Sequence, residues 1–157
     1  MGRPLETIEA APVSKERDLY SWALRQAELL RAGRLAEIDP IAIAEEIDDV
    51  GEEQYFKLES ALRVLAQHVL KWDYQPERRS RSWTLTIREQ RARIHRQLRR
   101  NPSLKSRRDE ALRDAYEDAR LAAARETKLP LRVVPEASPF TFDELMERPM
   151  TWPGDEV

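Results

Sequence analysis

The chain contains no cysteine among its 157 residues, which removes disulfides, thiol chemistry and cysteine-ligated zinc. Glycine is scarce as well. Its four positions, Gly2, Gly33, Gly51 and Gly154, are too scattered to build a loop that cradles phosphate, and no GxGxxG, P-loop or HExxH pattern occurs. No continuous apolar run approaches the length of about 18 residues that a membrane span needs, so no membrane partner is expected. The opening MGRPLETIEAAPV lacks the unbroken apolar segment of a secretion signal. A cytoplasmic location follows as the expectation. Nothing places a serine on a nucleophile elbow, and no cofactor is implied.

What the chain does have is charge and helix formers. Charged residues make up 36% and apolar ones 41%, with Ala, Leu, Glu and Arg prominent, a composition that favours helix over sheet. At this length one domain with a real core is attainable. The net charge is only −2, yet residues 71–108 carry 13 Lys/Arg against three acids, a local +10 balanced by −12 elsewhere. Such a dipole steers anionic partners, or holds part of the chain, or a second copy, against another part.

Apolar spacing resolves the helices. Residues 1–13 read as a mobile arm, 14–150 as one domain and 151–157 as a tail. Ser14 suits an N-cap for a helix to about Ala32, with Leu19, Tyr20, Ala23, Leu24, Ala27 and Leu30 as a wide buried stripe. Gly33 stands where a helix C-cap wants positive φ. Asp39-Pro40 reads as a cap followed by proline in the first turn. Gly51 either divides the helix that follows or merely weakens it. Leu58, Leu62, Leu65, Val69 and Trp72 then form a bundle seam. After Pro76, Ser80 or Ser82 caps a helix carrying Trp83, Ile87, Ile94 and Leu98 inward. Asn101-Pro102 repeats the capping signal for a last long helix to about Lys128, whose Ala111, Leu112, Ala115, Tyr116, Ala119 and Ala122 face inward. Thr141 with Glu144 suggests a capping box over a short helix at 142–148. The fold class is therefore all-α, a bundle of four to five main helices with a short C-terminal one.

The segments DLYSWALRQAELLRAGRL, AEEIDDVGEEQ, LKWDYQPERRSRSW, TIREQRARI and NPSL together resemble the DUF twenty-nine family, small bacterial proteins filed as a domain of unknown function. The resemblance runs from about Asp18 to Leu145. It implies an all-helical single domain, and brings no activity and no catalytic residues.

Three constellations carry chemistry. In KWDYQPERRSRSW and the helix after it, Arg81, Arg88 and Arg99 fall nearly in line with Arg96 beside them. Arg78 and Arg79 precede the helix N-terminus, whose free N–H groups attract anions. Phosphate could meet guanidinium forks there, and Trp72, Tyr74 and Trp83 could offer faces for stacked bases. In the competing reading Trp72 and Trp83 continue core seams, and the arginines form a solvated or ion-paired face. The acidic run Glu45, Glu46, Asp48, Asp49, Glu52 and Glu53 could hold a hard cation, or simply be the wet side of an amphipathic helix; no metal site is assigned. Arg63 with His68, echoed by Arg88 with His95, resembles the spacing of HEPN ribonucleases, an arginine and a histidine separated by four to six residues, where the pair would serve as phosphate clamp and general base. Arginine is abundant enough here for such spacings to arise by chance. The leading expectation is a non-catalytic interaction or regulatory module with a protein partner or a second copy, docking through the Ala-rich residues 111–124 and the charge split. Nucleic-acid binding through residues 71–108 and a metal-independent ribonuclease are the alternatives.

Overall fold

A computed structural model describes residues 13–155. These are all-α, without strands among the described residues: α1 Leu19–Arg31, α2 Pro40–Tyr74, α3 Arg81–Arg100, α4 Arg108–Thr127 and the short α5 Phe142–Glu147. Gly51 does not divide the second helix, so the main helices number four. The arm read over residues 1–13 lies outside the described residues except for Val13. Two compact units are distinguished, Met1–Val50 and Gly51–Val157.

In the first unit, α1 is capped by Asp18, whose carboxylate accepts from the Ser21 N–H at 3.0 Å. Ser14 is not the cap. Its carbonyl instead closes a turn by accepting from the Arg17 and Asp18 amides, which leaves the carboxylate three residues before Ser21 to take the capping role. At the other end the Arg34 N–H donates to Leu29 O and the Gly33 N–H to Leu30 O, with Gly33 at φ +69°. This is the paired-bond helix stop that favours glycine. Asp39 caps α2 through the Ala42 N–H at 3.0 Å, and Pro40 is its first residue. The stripe from Leu19 to Leu30 is not buried, contrary to its periodicity. Trp22 and Leu29 form the buried seam with Ala42, while Leu19, Tyr20, Leu24 and Leu30 stay exposed. Two helices cannot cover an apolar arc this wide, because each buries only the side turned to its neighbour.

The second unit is a helical bundle. Leu58, Leu62, Leu65 and Val69 of α2 are fully buried against Ile87, Ile94 and Leu98 of α3 and Ala111, Leu112, Ala115 and Ala119 of α4. The small alanines let α4 approach closely. Being wholly buried inside this unit, they are spent on its own core and offer no docking face, which removes the surface proposed for residues 111–124. Ala122 is only half-buried. Asn101-Pro102 does not open an α-helix directly. Pro102–Arg107 form 3-10 turns first, and the Asn101 amide turns back to Gln97 O at 3.2 Å. Thr141 and Glu144 make both bonds of the capping box on α5. Arg91 of α3 then holds the far end of α5, donating to Leu145 O and to Arg148 O, each at 2.8 Å.

Candidate functional site

The basic segment separates into two halves with different electrostatics. Its N-terminal half is occupied by its own chain. Arg79 donates to Trp72 O at 2.9 Å and lies 4.6 Å above the Trp72 ring, a cation–π contact that covers one face of the indole. The ammonium of Lys71 sits 4.5 Å over Trp83. Arg81 Nε donates to both Asp155 carboxylate oxygens, at 3.0 and 2.8 Å, and holds that carboxyl below the ordinary range. Arg88 donates to Asp155 O at 3.2 Å. Ser80 caps α3 through the Trp83 N–H, so a side chain already serves the helix N-terminus that follows Arg78 and Arg79. Tyr74 packs half-buried against the cluster of Leu70, Tyr116, Ala123 and Val134. Trp72 and Trp83 are likewise half-buried.

The C-terminal half of α3 is different. Arg93, Arg96, Arg99 and Arg100 are exposed, and among the described residues none of them makes an ion pair or a side-chain hydrogen bond. Arg93, Arg96 and Arg100 line a cleft of about 370 Å³ with Glu53, Phe56, Lys57 and Ser60 of α2. Their spacing of three and four residues puts them on one helix face. Across the cleft Lys57 pairs with Glu53 at 2.8 Å, so four cations meet one carboxylate and the balance is +3. Gln97 fixes the two walls by donating to Gln54 O at 2.8 Å. Phe56 is 57% exposed and meets Tyr55 edge-on, with centroids 6.2 Å apart. Tyr55 is itself held by Asp114 and by the Arg107 guanidinium 4.0 Å above its ring.

Of the eight residues singled out from sequence, the structure therefore engages Trp72, Tyr74, Arg79, Arg81 and Arg88 within the chain, leaves Arg78 exposed outside the cleft, and leaves Arg96 and Arg99 unpaired. Arg93, Arg100, Lys57 and Phe56 were missed. The recurrence of arginine at 93, 96 and 100 was readable. So was Phe56, an aromatic two positions off the Leu58–Leu62 seam.

The other two constellations do not assemble. Lys15 bridges Glu45 and Glu46, each at 2.8 Å, and no group of three metal-binding side chains converges among the described residues. His68 is half-buried with Nδ1 2.9 Å from Val64 O, and burial holds its pKa below the ordinary value. Arg63 lies five positions earlier on the same helix, about 140° away around the axis, so the two side chains leave on different sides. Arg88, the other candidate, is engaged with Asp155 O.

A family model described as Domain of unknown function DUF29 matches residues 15–150, nearly the whole chain. The chain belongs to the DUF29 family. No match was found among curated proteins or among solved structures. Among the described residues of this DUF29 protein, no helix is long and apolar enough to cross a membrane.

Proposed function

We propose that this DUF29 protein is a non-catalytic binding module that holds a single-stranded nucleic acid along the cleft between α2 and α3. The observation that carries this reading is the convergence of Arg93, Arg96 and Arg100 on one cleft wall without acid partners, facing Lys57 and the exposed Phe56 ring. Guanidinium groups grip phosphate through paired N–H donors. From Arg93 to Arg100 the helix rises about 10 Å, the length of roughly three phosphates in a stacked strand. An exposed ring beside such a track takes a base on its face, with a gain of about 1–3 kcal/mol.

Fluorescence anisotropy with a labelled RNA strand and the matching DNA strand, titrated over about 50–300 mM salt, tests this directly. Three engaged arginines predict a log–log slope of about −2 for a single strand, falling by about 0.7 for each arginine replaced. Phe56→Ala should weaken binding roughly 5-fold to 150-fold at an unchanged slope. Arg81→Ala, which removes an arginine already paired with Asp155, should leave affinity nearly unchanged. Absence of binding at the lowest salt, or a triple Arg93, Arg96, Arg100→Ala variant that binds as wild type does, defeats the reading. Binding to an acidic protein in place of either nucleic acid would also count against it.

A further inference from the structure

We infer that Arg81 and Arg88 form a second phosphate-binding site on α3, which the C-terminal turn holds closed with Asp155 as a stand-in for the ligand. The inference rests on the single-strand reading of the neighbouring cleft and extends the path of that strand. Asp155 brings three acceptors to the pair. Both carboxylate oxygens accept from Arg81 Nε, at 3.0 and 2.8 Å, and the backbone carbonyl accepts from Arg88 at 3.2 Å. Donors remain to spare, since the Arg81 Nη groups have no hydrogen-bond partner among the described residues. A place where two guanidinium groups already hold a carboxylate also fits the oxygens of a phosphate.

Two helical turns separate the arginines, so they leave α3 within about 20° of each other and about 10 Å apart along its axis. Arg99 continues their row. Arg96 stands about 80° around from Arg88 and about 60° or less from Arg93 and Arg100, so it joins the row to the cleft. Among the described residues no carboxylate but that of Asp155 pairs with Arg81, Arg88, Arg96 or Arg99. From Arg81 to Arg100 the helix rises about 29 Å. With Asp155 in place the first two arginines of that length are closed to a strand, and the cleft alone sets the salt dependence.

The turn that presents Asp155 is specified by its own sequence. The Asp155 amide donates to Trp152 O at 3.0 Å, which closes a turn with Pro153 and Gly154 at its centre. Proline supplies the fixed φ such a turn needs first, and glycine the positive φ it needs second; Gly154 has φ +90°. Trp152 is half-buried, whereas Thr151, Pro153 and Gly154 are exposed. The segment lies outside every helix, so releasing Asp155 unwinds none of them. The latch can open while the bundle stays folded.

Fluorescence anisotropy of the full chain with a labelled RNA strand of about 12 nucleotides, over about 50–300 mM salt, tests this. Asp155→Asn removes the stand-in. Gly154→Val opens the turn without altering charge, because a β-branched residue does not settle at that φ, and its Cβ meets nothing within 4 Å. Each should steepen the log–log slope from about −2 to about −3.5, two further phosphates at about 0.7 each. Across that salt range this is about a twelvefold greater loss of affinity. Adding Arg81→Ala and Arg88→Ala to either variant should return the slope to the wild-type value. Asp109→Asn, the same charge change on exposed α4 surface, should leave it there, and circular dichroism should show equal helix content throughout. Wild-type slopes in both released variants overturn the inference while binding through the cleft stands. So does a steeper slope that survives loss of both arginines, or that Asp109→Asn reproduces. Released variants that bind through Arg81 and Arg88 beside a wild type that does not bind would uphold the inference and sink the cleft reading alone. Absence of binding by all of them overturns both.

Discussion

Lys71 and Glu126 are partners of unequal standing, and the inequality is measurable. The Lys71 side chain is 9% exposed and Glu126 48%. The ammonium donates to one Glu126 oxygen and lies over Trp83, while the other oxygen accepts from Gln67 at 2.7 Å. Removing the carboxylate by Glu126→Ala strands a buried cation with only an indole face, which should cost about 3 kcal/mol. Removing the cation by Lys71→Met frees a half-exposed carboxylate that water can solvate. The loss is then the cation–π contact and a solvent-screened pair, about 1 kcal/mol together. For a chain of this size each kcal/mol moves Tm by about 2–4 °C, so Glu126→Ala should lower it by roughly 6–12 °C and Lys71→Met by less than about 4 °C. Partial burial opposes ionisation of Glu126, but the Lys71 hydrogen bond and charge outweigh it and hold the carboxyl below its ordinary value. Its stabilising contribution is therefore present above that value and lost as acid protonates it, and Lys71→Met should flatten this acid limb. Urea titration followed by tryptophan fluorescence gives the comparison. Equal losses in the two variants, or a larger one for Lys71→Met, would refute the reasoning.

Three further outcomes are open to the same assays. Burial keeps His68 neutral by lowering its pKa below 6.5, so stability should be full above that pH and fall as protons are forced on; His68→Gln should remove that slope, and a slope that persists excludes His68 as its source. Leu62→Ala, at a site with no exposed area, should cost about 2–5 kcal/mol, and a loss under about 1 kcal/mol would mean the core collapses around the gap. Gly51 sits inside α2, where an added Cβ meets nothing within 4 Å; Gly51→Ala should gain about 0.5–1 kcal/mol, and a loss would contradict the helical setting.

Features governed by neighbours a few residues away were legible in the sequence. Asp39, Gly33, Ser80 and the Thr141–Glu144 box all act within one turn, so composition at fixed offsets was enough. Asn101 misled because the same cap-then-proline signal serves an α-helix and a 3-10 turn equally. The stripe of α1 was correctly seen as apolar, but periodicity says only that an apolar face wants covering, not that this chain covers it. The arginine row was legible only in part for a related reason. Asp155 is 74 positions from Arg81, and no spacing rule connects them, so Arg81 and Arg88 looked as available as Arg96 and Arg99. The cleft draws Lys57 and Phe56 from another helix, and only packing of α2 on α3 brings them opposite Arg93 and Arg100.

The division between the two units falls inside α2, between Val50 and Gly51, where other proteins keep a flexible linker. Severing it would leave four carbonyls and four amides without their helical partners, and would strand an 11-residue stub, Pro40–Val50, below the length of about 12–15 residues at which a lone helix holds. The hairpin is thus not a cassette that recombination can lift out and graft elsewhere. Detaching either unit therefore means capping anew the helix that runs through both.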